Sequence, residues 1–333
     1  MTDRFGAALC LQRYLFQTWG DRLIRPRPDF RSEVSDDHSP YEYSVAFGRD
    51  ENELRLLLEA QADSPSLSSN QLAAQALTTK IAQDWGLCTA RLDAVSDLFL
   101  PSEPQGVFSY WHAIVIGSSA RPLFKVYFNP RVQGPERAHE LVDLALERLG
   151  FDAARGYLRA IASSREPGRD EPHYISLDLG AATEARVKIY FRHHGITAAE
   201  LERTFELAPS HQPGDITGYC AQLLGHGGPF AKKPVSSCFA FIAGAREPTS
   251  VTFHLPIAAY AQQDAHVVDS VAGFMGKHGL DATAYRALMS RFSSRPLANG
   301  TGTQSYVSFR RDPTGPRLTV YLSPEVYERN TYE

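Results

Sequence analysis

The sequence predicts an α+β fold, a ten-stranded antiparallel β-barrel surrounded by α-helices. Three observations lead there. A β-β-α-α unit recurs about five times along the 333 residues, and a fixed period of this kind marks an architecture built by repetition. The strands carry aliphatic residues on one face and basic and aromatic residues on the other. A sheet of ten strands with helices on one side would also leave two raw edges, which closure removes. The alternative is an open antiparallel sheet with its polar face in water. One domain, residues 1–333, holds all the units.

Each unit opens with a hairpin. Its first strands are the alternating, β-rich runs Tyr41–Phe47, Tyr110–Ile116, Tyr174–Leu179, Ser237–Ala243 and Tyr306–Arg310. Short turns with Gly48, Gly117, Gly180–Ala182, Gly244 and Gly315 lead to the second strands. Among these, Phe124–Pro130, Val187–His193, Val251–Ile257 and Leu318–Pro324 align without gaps, and Leu54–Ala60 is a more distant fifth. Their second residues, Arg55, Lys125, Lys188, Thr252 and Thr319, are spaced 70, 63, 64 and 67 apart. Helical periodicity follows over Ser69–Trp85, Pro135–Leu149, Asp152–Ala162, Ala198–Leu207, Asp215–Leu224, Ala261–His278 and Asp281–Phe292. Thr89, Asp152, Asp215 and Asp281 each follow a glycine closely and read as helix N-caps.

Strand parity assigns the faces, because successive side chains point to opposite sides. Val187, Ile189 and Phe191 oppose Arg186, Lys188, Tyr190 and Arg192, and the same division holds around Lys125, Thr319 and Arg55. The helices need the aliphatic face, so the other lines the lumen. It collects Arg55, Lys125, Arg186, Lys188, Arg310 and Arg317, with Tyr127, Tyr190, Tyr306 and Tyr321. Cations gathered in a partly desolvated cavity call for a polyanion, and diphosphate answers that need. Tyrosine π faces stabilise a carbocation and fence it from water. Together they suit the ionisation of an allylic diphosphate.

From Ser39 to Pro324 the chain resembles the aromatic prenyltransferases of the dimethylallyltryptophan synthase type, whose barrel is the ABBA fold. The resemblance rests on Pro40-Tyr-Glu-Tyr-Ser44, the Lys-x-Tyr of Lys125 and Tyr127, the Arg-x-Lys-x-Tyr from Arg186 to Tyr190, and the tyrosines Tyr306 and Tyr321. The chain's brevity is similar to the bacterial branch. The resemblance implies that Glu42 accepts the indole N–H, that Arg55, Lys125, Arg186, Lys188 and Arg310 hold the diphosphate, and that Tyr127, Tyr190, Tyr306 and Tyr321 shield the cation. Parity with Tyr306 favours Arg310 over Arg311 as the final arginine. In some relatives a lysine thirteen residues before the first barrel lysine is the proposed terminal base; His112 stands there. Thr252 and His254 depart from the Gln or Lys and the Tyr usual in the fourth hairpin. No cofactor is implied and magnesium is not essential, because the lumen cations take its place.

The implied activity is transfer of a dimethylallyl group from dimethylallyl diphosphate to the indole of L-tryptophan or a tryptophan-derived molecule. Its alternatives are a phenol or quinone prenyltransferase on the same barrel, which needs no N–H acceptor at Glu42, and a non-catalytic carrier of an anionic aromatic ligand. A salt bridge to Arg55 is the competing role for Glu42, and a hydrogen-bonded strand histidine that for His112.

Composition narrows the partners. A formal charge of −4, from 34 Lys+Arg against 38 Asp+Glu, excludes a strongly basic nucleic-acid binder. No run approaches the roughly 18–20 apolar residues of a membrane span, and the first residues lack a signal peptide's pattern. The expectation is a cytoplasmic monomer or homodimer acting on small molecules, with no nucleic-acid or membrane partner. Cys10, Cys88, Cys220 and Cys238 form no CxxC pair and read as buried small hydrophobes. Asp36-Asp37 lacks a second acidic cluster and reads as solvated, and His193-His194 as a loop feature. No metal site is expected.

Overall fold

The computed structural model describes residues 2–119, 121–163, 168–180, 185–206 and 208–327. Its strands are β1 (Tyr41–Phe47), β2 (Asn52–Leu58), β3 (Tyr110–Ile116), β4 (Leu123–Phe128) and β5 (Asp170–Asp178), followed by β6 (Val187–His193), β7 (Val235–Phe241), β8 (Ser250–Leu255), β9 (Gln304–Asp312) and β10 (Gly315–Leu322). Each pairs antiparallel with its neighbours in sequence, and β1 closes on β10, with Tyr43 opposite Leu322 and Phe47 opposite Leu318. The sheet is therefore a closed barrel and not the open alternative.

Closure puts the aliphatic parity outside, under the helices. Val126, Ile175, Val187, Ile189, Val320 and their neighbours join one continuous core with the helices Leu67–Trp85, Ala138–Arg148, Asp152–Ser163, Ala198–Phe205, Asp215–Leu224, Asp264–Lys277 and Ala282–Phe292. Each helix lays an apolar stripe on the barrel and leaves its polar face to water. Leu207 and the turn residues Ala181 and Ala182 lie outside the described residues.

Helix starts are partly as expected. The Asp281 side chain accepts the Ala284 N–H at 2.8 Å, as an N-cap should. Ser66 and Thr197 form capping boxes that the glycine landmark did not reveal. Asp152 and Asp215 are themselves the first helical residues. Gly214, at φ 87°, caps the latter helix, which frees the Asp215 carboxylate to pair with Arg311 at 2.8 Å. Thr89 precedes a single turn and donates to Asp93, capping nothing.

β5 starts earlier than the pattern showed, and its register shifts between Pro172 and Tyr174, where proline has no N–H for the ladder. Cys220 and Cys238 are buried, whereas Cys10 and Cys88 are exposed, correcting the expectation for that pair.

The segment preceding β1 lies across the end of the barrel where that strand begins. Ser32 Oγ donates to Glu59 at 2.6 Å, Ser35 bonds Ser323 at 2.9 Å, and Asp36 pairs with Lys233 at 2.7 Å. Asp37 is fully buried and accepts from the Ser39 hydroxyl and the Val326 N–H. Asp36-Asp37 is thus a structural clasp and not a solvated loop. Carboxylates are buried when backbone donors and a lysine meet them, and those partners come from distant parts of the chain. Among the described residues no helix is long and apolar enough to cross a membrane.

Candidate active site

The lumen is built in tiers by strand parity, with basic and acidic groups at one end, aromatic rings across the middle and Glu42 toward the other end, under the segment that precedes β1. At the basic end Arg55 and Arg317 share Glu53 at 2.7 and 2.6 Å, and Arg310 pairs with Asp312 at 2.7 Å. The two guanidiniums hold the Glu53 carboxyl down to about 2 against the cost of its burial. Arg186 Nε donates to Asp178 at 2.8 Å, and Lys125 Nζ lies 3.7 Å from the same carboxylate. Lys188 makes no ion pair among the described residues. Burial and the neighbouring Arg186 push its ammonium down to about 8. Lys125 is pushed well below the usual lysine range by burial and by Lys188.

Above these charges runs an arc of aromatic rings. Tyr127 and Tyr190 stand 5.9 Å apart, Tyr190 and His254 5.8 Å, His254 and Tyr321 5.7 Å, and Tyr321 and Tyr306 6.3 Å. His254 therefore occupies the gap that the fourth hairpin's departure opened. Burial, with Lys188 and Arg55 nearby, lowers its imidazole to about 3, so at neutral pH the ring is uncharged. A neutral imidazole keeps the arc aromatic where an imidazolium would repel a carbocation. Thr252, two residues earlier on β8, also faces the lumen.

Glu42 sits on β1, 6% exposed, and its Oε1 accepts from Ser305 Oγ at 2.6 Å. No bridge joins it to Arg55, whose carboxylate partner is Glu53. Burial lifts the Glu42 carboxyl to about 8, with Ser305 and Lys233 opposing and Asp36 adding. Trp111, Tyr174, His173 and Arg192 complete the upper chamber, with Glu33, Asp36 and Lys233 at its rim. Lys233 lies 4.8 Å from the Tyr306 ring centre.

Two sequence expectations change here. His112 does not face the lumen: Trp111, Ala113 and Val115 do, and His112 points outward to a 2.8 Å hydrogen bond with Thr78 of the helix Leu67–Trp85. Its imidazole, wholly buried and held at about 3, is cut off from substrate by the barrel wall. His193 is part of β6 and not of a loop, bonded to Asp170 at 2.6 Å and Ser237 at 2.7 Å. Arg311 also faces outward, to Asp215, so Arg310 is the lumen arginine, as parity required.

Glu53, Asp178, Trp111, Tyr174, His173, Arg192 and Lys233 are site residues that the sequence reading did not assign. Asp178, Tyr174 and Arg192 lie on inward parity and were within reach of it. Lys233 precedes its strand and carries no periodic signal.

The chain matches the model of the family described as tryptophan dimethylallyltransferase over residues 7–288. It is similar to 6-dimethylallyltryptophan synthase from Micromonospora olivasterospora, solved with DMASPP and Trp, with 34% identity and a TM-score of 0.89 over 96% of this chain and 92% of that one. It is also similar to 5-dimethylallyltryptophan synthase from Streptomyces coelicolor, with 28% identity and a TM-score of 0.89 over 99% and 94%. A curated relative, Prenyltransferase iacE of Pestalotiopsis fici, is 24% identical over 95% of this chain and 84% of its own length. A match over most of the chain, on a barrel whose lumen sets cations beneath aromatic rings, shows that this protein belongs to the tryptophan dimethylallyltransferase family.

Proposed function

We propose that this protein transfers a dimethylallyl group from dimethylallyl diphosphate to the indole ring of L-tryptophan. One observation carries the proposal: a charged barrel end lies under a continuous aromatic arc, with a buried carboxylate beyond it. At that end six cations, Arg55, Lys125, Arg186, Lys188, Arg310 and Arg317, face three carboxylates, Glu53, Asp178 and Asp312. With all ionised the excess is three positive charges, matching a prenyl diphosphate trianion.

In the reaction the C–O bond of the allylic diphosphate breaks and its electron pair leaves with the diphosphate. The lumen cations stabilise that developing charge and take the place of a metal ion. The arc of Tyr127, Tyr190, His254, Tyr321 and Tyr306 faces the allyl cation and keeps water from it. The indole ring attacks, forming the new C–C bond, and loss of the ring proton restores aromaticity. Glu42 accepts the indole N–H and favours the positive charge spread over the arenium ion. The rim offers Arg192 for a carboxylate and Glu33 and Asp36 for an ammonium, which suits a zwitterionic acceptor. Four free thiols accord with a cytoplasmic setting.

The test is incubation with tryptophan and with dimethylallyl, geranyl or farnesyl diphosphate, followed by mass spectrometry and NMR. A dimethylallylated indole is expected, whereas turnover of a phenol in preference to every indole refutes the assignment.

A further inference from the structure

We propose that Asp178 is a positioning residue for the diphosphate: it aims Arg186 and keeps Lys125 an ammonium, so that the barrel end is charged before substrate arrives. This goes beyond the assignment of the cations themselves and rests on the diphosphate reading above.

Asp178 ends β5 and lies opposite Lys125 in the β4–β5 register. Its carboxylate is 5% exposed and engaged with Arg186 and Lys125, through which it acts. Its Oδ2 fixes Arg186 through the 2.8 Å bond. Its Oδ1 is buried without a hydrogen-bond partner and faces Lys125 Nζ at 3.7 Å, too far for a hydrogen bond but close for a charge. An unbonded buried carboxylate oxygen is costly in a protein interior, and a cation close by offsets that cost.

The three carboxylates at this end serve different partners. Glu53 holds Arg55 and Arg317, and Asp312 holds Arg310. Guanidiniums keep their protons whatever surrounds them, so those pairs only orient. Asp178 alone among the three also serves a lysine, which can shed its proton. Lys125 is faced by Arg55 from β2, Asp178 from β5, Arg186 and Lys188 from β6 and the Cys238 thiol from β7, with Tyr127 on its own strand. Three of these are cations and Asp178 is the carboxylate. Removing its charge leaves a buried ammonium among like charges, the setting in which a lysine becomes neutral. A neutral Lys125 still donates a hydrogen bond but no longer attracts the trianion.

The experiment measures the affinity of the full chain for dimethylallyl thiolodiphosphate by calorimetry between about pH 6.5 and pH 8.5. The wild type, Asp178→Asn and the double variant Asp178→Asn/Lys125→Arg are compared. The ratio of Asp178→Asn to wild-type Kd is expected to lie within about threefold at the acid end and to widen to at least about tenfold at the alkaline end. The arginine, which cannot deprotonate, is expected to remove that widening. Asp178→Ser, a second neutral replacement, gives the same test if the amide variant does not fold. A constant ratio overturns the proposal, whether the variant binds more weakly, equally or more tightly throughout, because orientation or repulsion would then be the whole effect. A wild type that does not bind the analogue refutes the diphosphate reading itself and the proposal with it.

Discussion

Glu42→Gln separates charge from shape at the point where the acceptor is held. The wild-type carboxyl, lifted to about 8 by burial, is about 1% ionised at about pH 6 and half ionised at about pH 8. If the ionised form orients the indole and stabilises the arenium ion, kcat/KM for tryptophan rises about fiftyfold over that interval. In Glu42→Gln the profile is flat, and at the alkaline end activity is lower by about ten- to a hundredfold, the worth of one charged hydrogen bond. Steady-state kinetics at saturating dimethylallyl diphosphate measure both. A variant that keeps the wild-type rise with pH refutes the role of Glu42, as does wild-type turnover in the glutamine variant.

The same substitution has a consequence for stability. The folded carboxyl titrates near 8 and the unfolded one near 4.5, so the unfolded chain gives up its proton first. The wild type therefore loses stability as pH rises from about 4.5 to about 8, by on the order of 5 kcal/mol, and Glu42→Gln escapes that loss. Thermal melts at both ends of the window are expected to show the variant gaining on the wild type only on the alkaline side.

Three further outcomes are expected. Lys188→Ala weakens binding of the prenyl diphosphate by about ten- to a hundredfold, with tryptophan binding little changed, read as separate KM values. Turnover continues in excess EDTA, because the protein supplies the positive charge; complete loss restored by magnesium would contradict this. His112→Ala lowers stability by about 1–3 kcal/mol through the lost buried hydrogen bond and the space the ring leaves, the Thr78 hydroxyl keeping Ala74 and Tyr110 as partners, while kcat of the folded variant stays near wild type. A large kcat loss in stable protein would return His112 to the chemistry.

The barrel was legible because one signal repeats. The parity of Lys188 and Tyr190 is copied around Lys125 and Tyr127, so the lumen follows from sequence once closure is granted. His112 shows where that logic was not applied. The resemblance to relatives with a lysine at that position implied a place in the site, whereas β3 turns Trp111, Ala113 and Val115 inward, an apolar lumen face opposite to the pattern around Lys125 and Lys188. The polar outward residue is accommodated by Thr78, a partner 34 residues away that no local pattern announces. Asp36 and Lys233 were illegible for a related reason: they lie in non-repeating segments 197 residues apart, and only the closed structure brings their charges together. His254 looked like a defect because residue identity was compared, while its environment, which fixes its charge, depends on packing.

The seam between β1 and β10 has a consequence for synthesis. On the ribosome the chain carries β1 as an unpaired edge until Leu322 has emerged, because its second neighbour is the last strand made. Until then Glu42 also waits for Ser305, 263 residues downstream. A nascent or prematurely released chain that lacks β10 therefore has at most nine strands, two sticky borders and basic residues open to water. Premature stops ahead of β10 should yield aggregates and not weak enzymes, and chaperones that shield strand borders should matter more for this protein than for one whose strands pair as they appear.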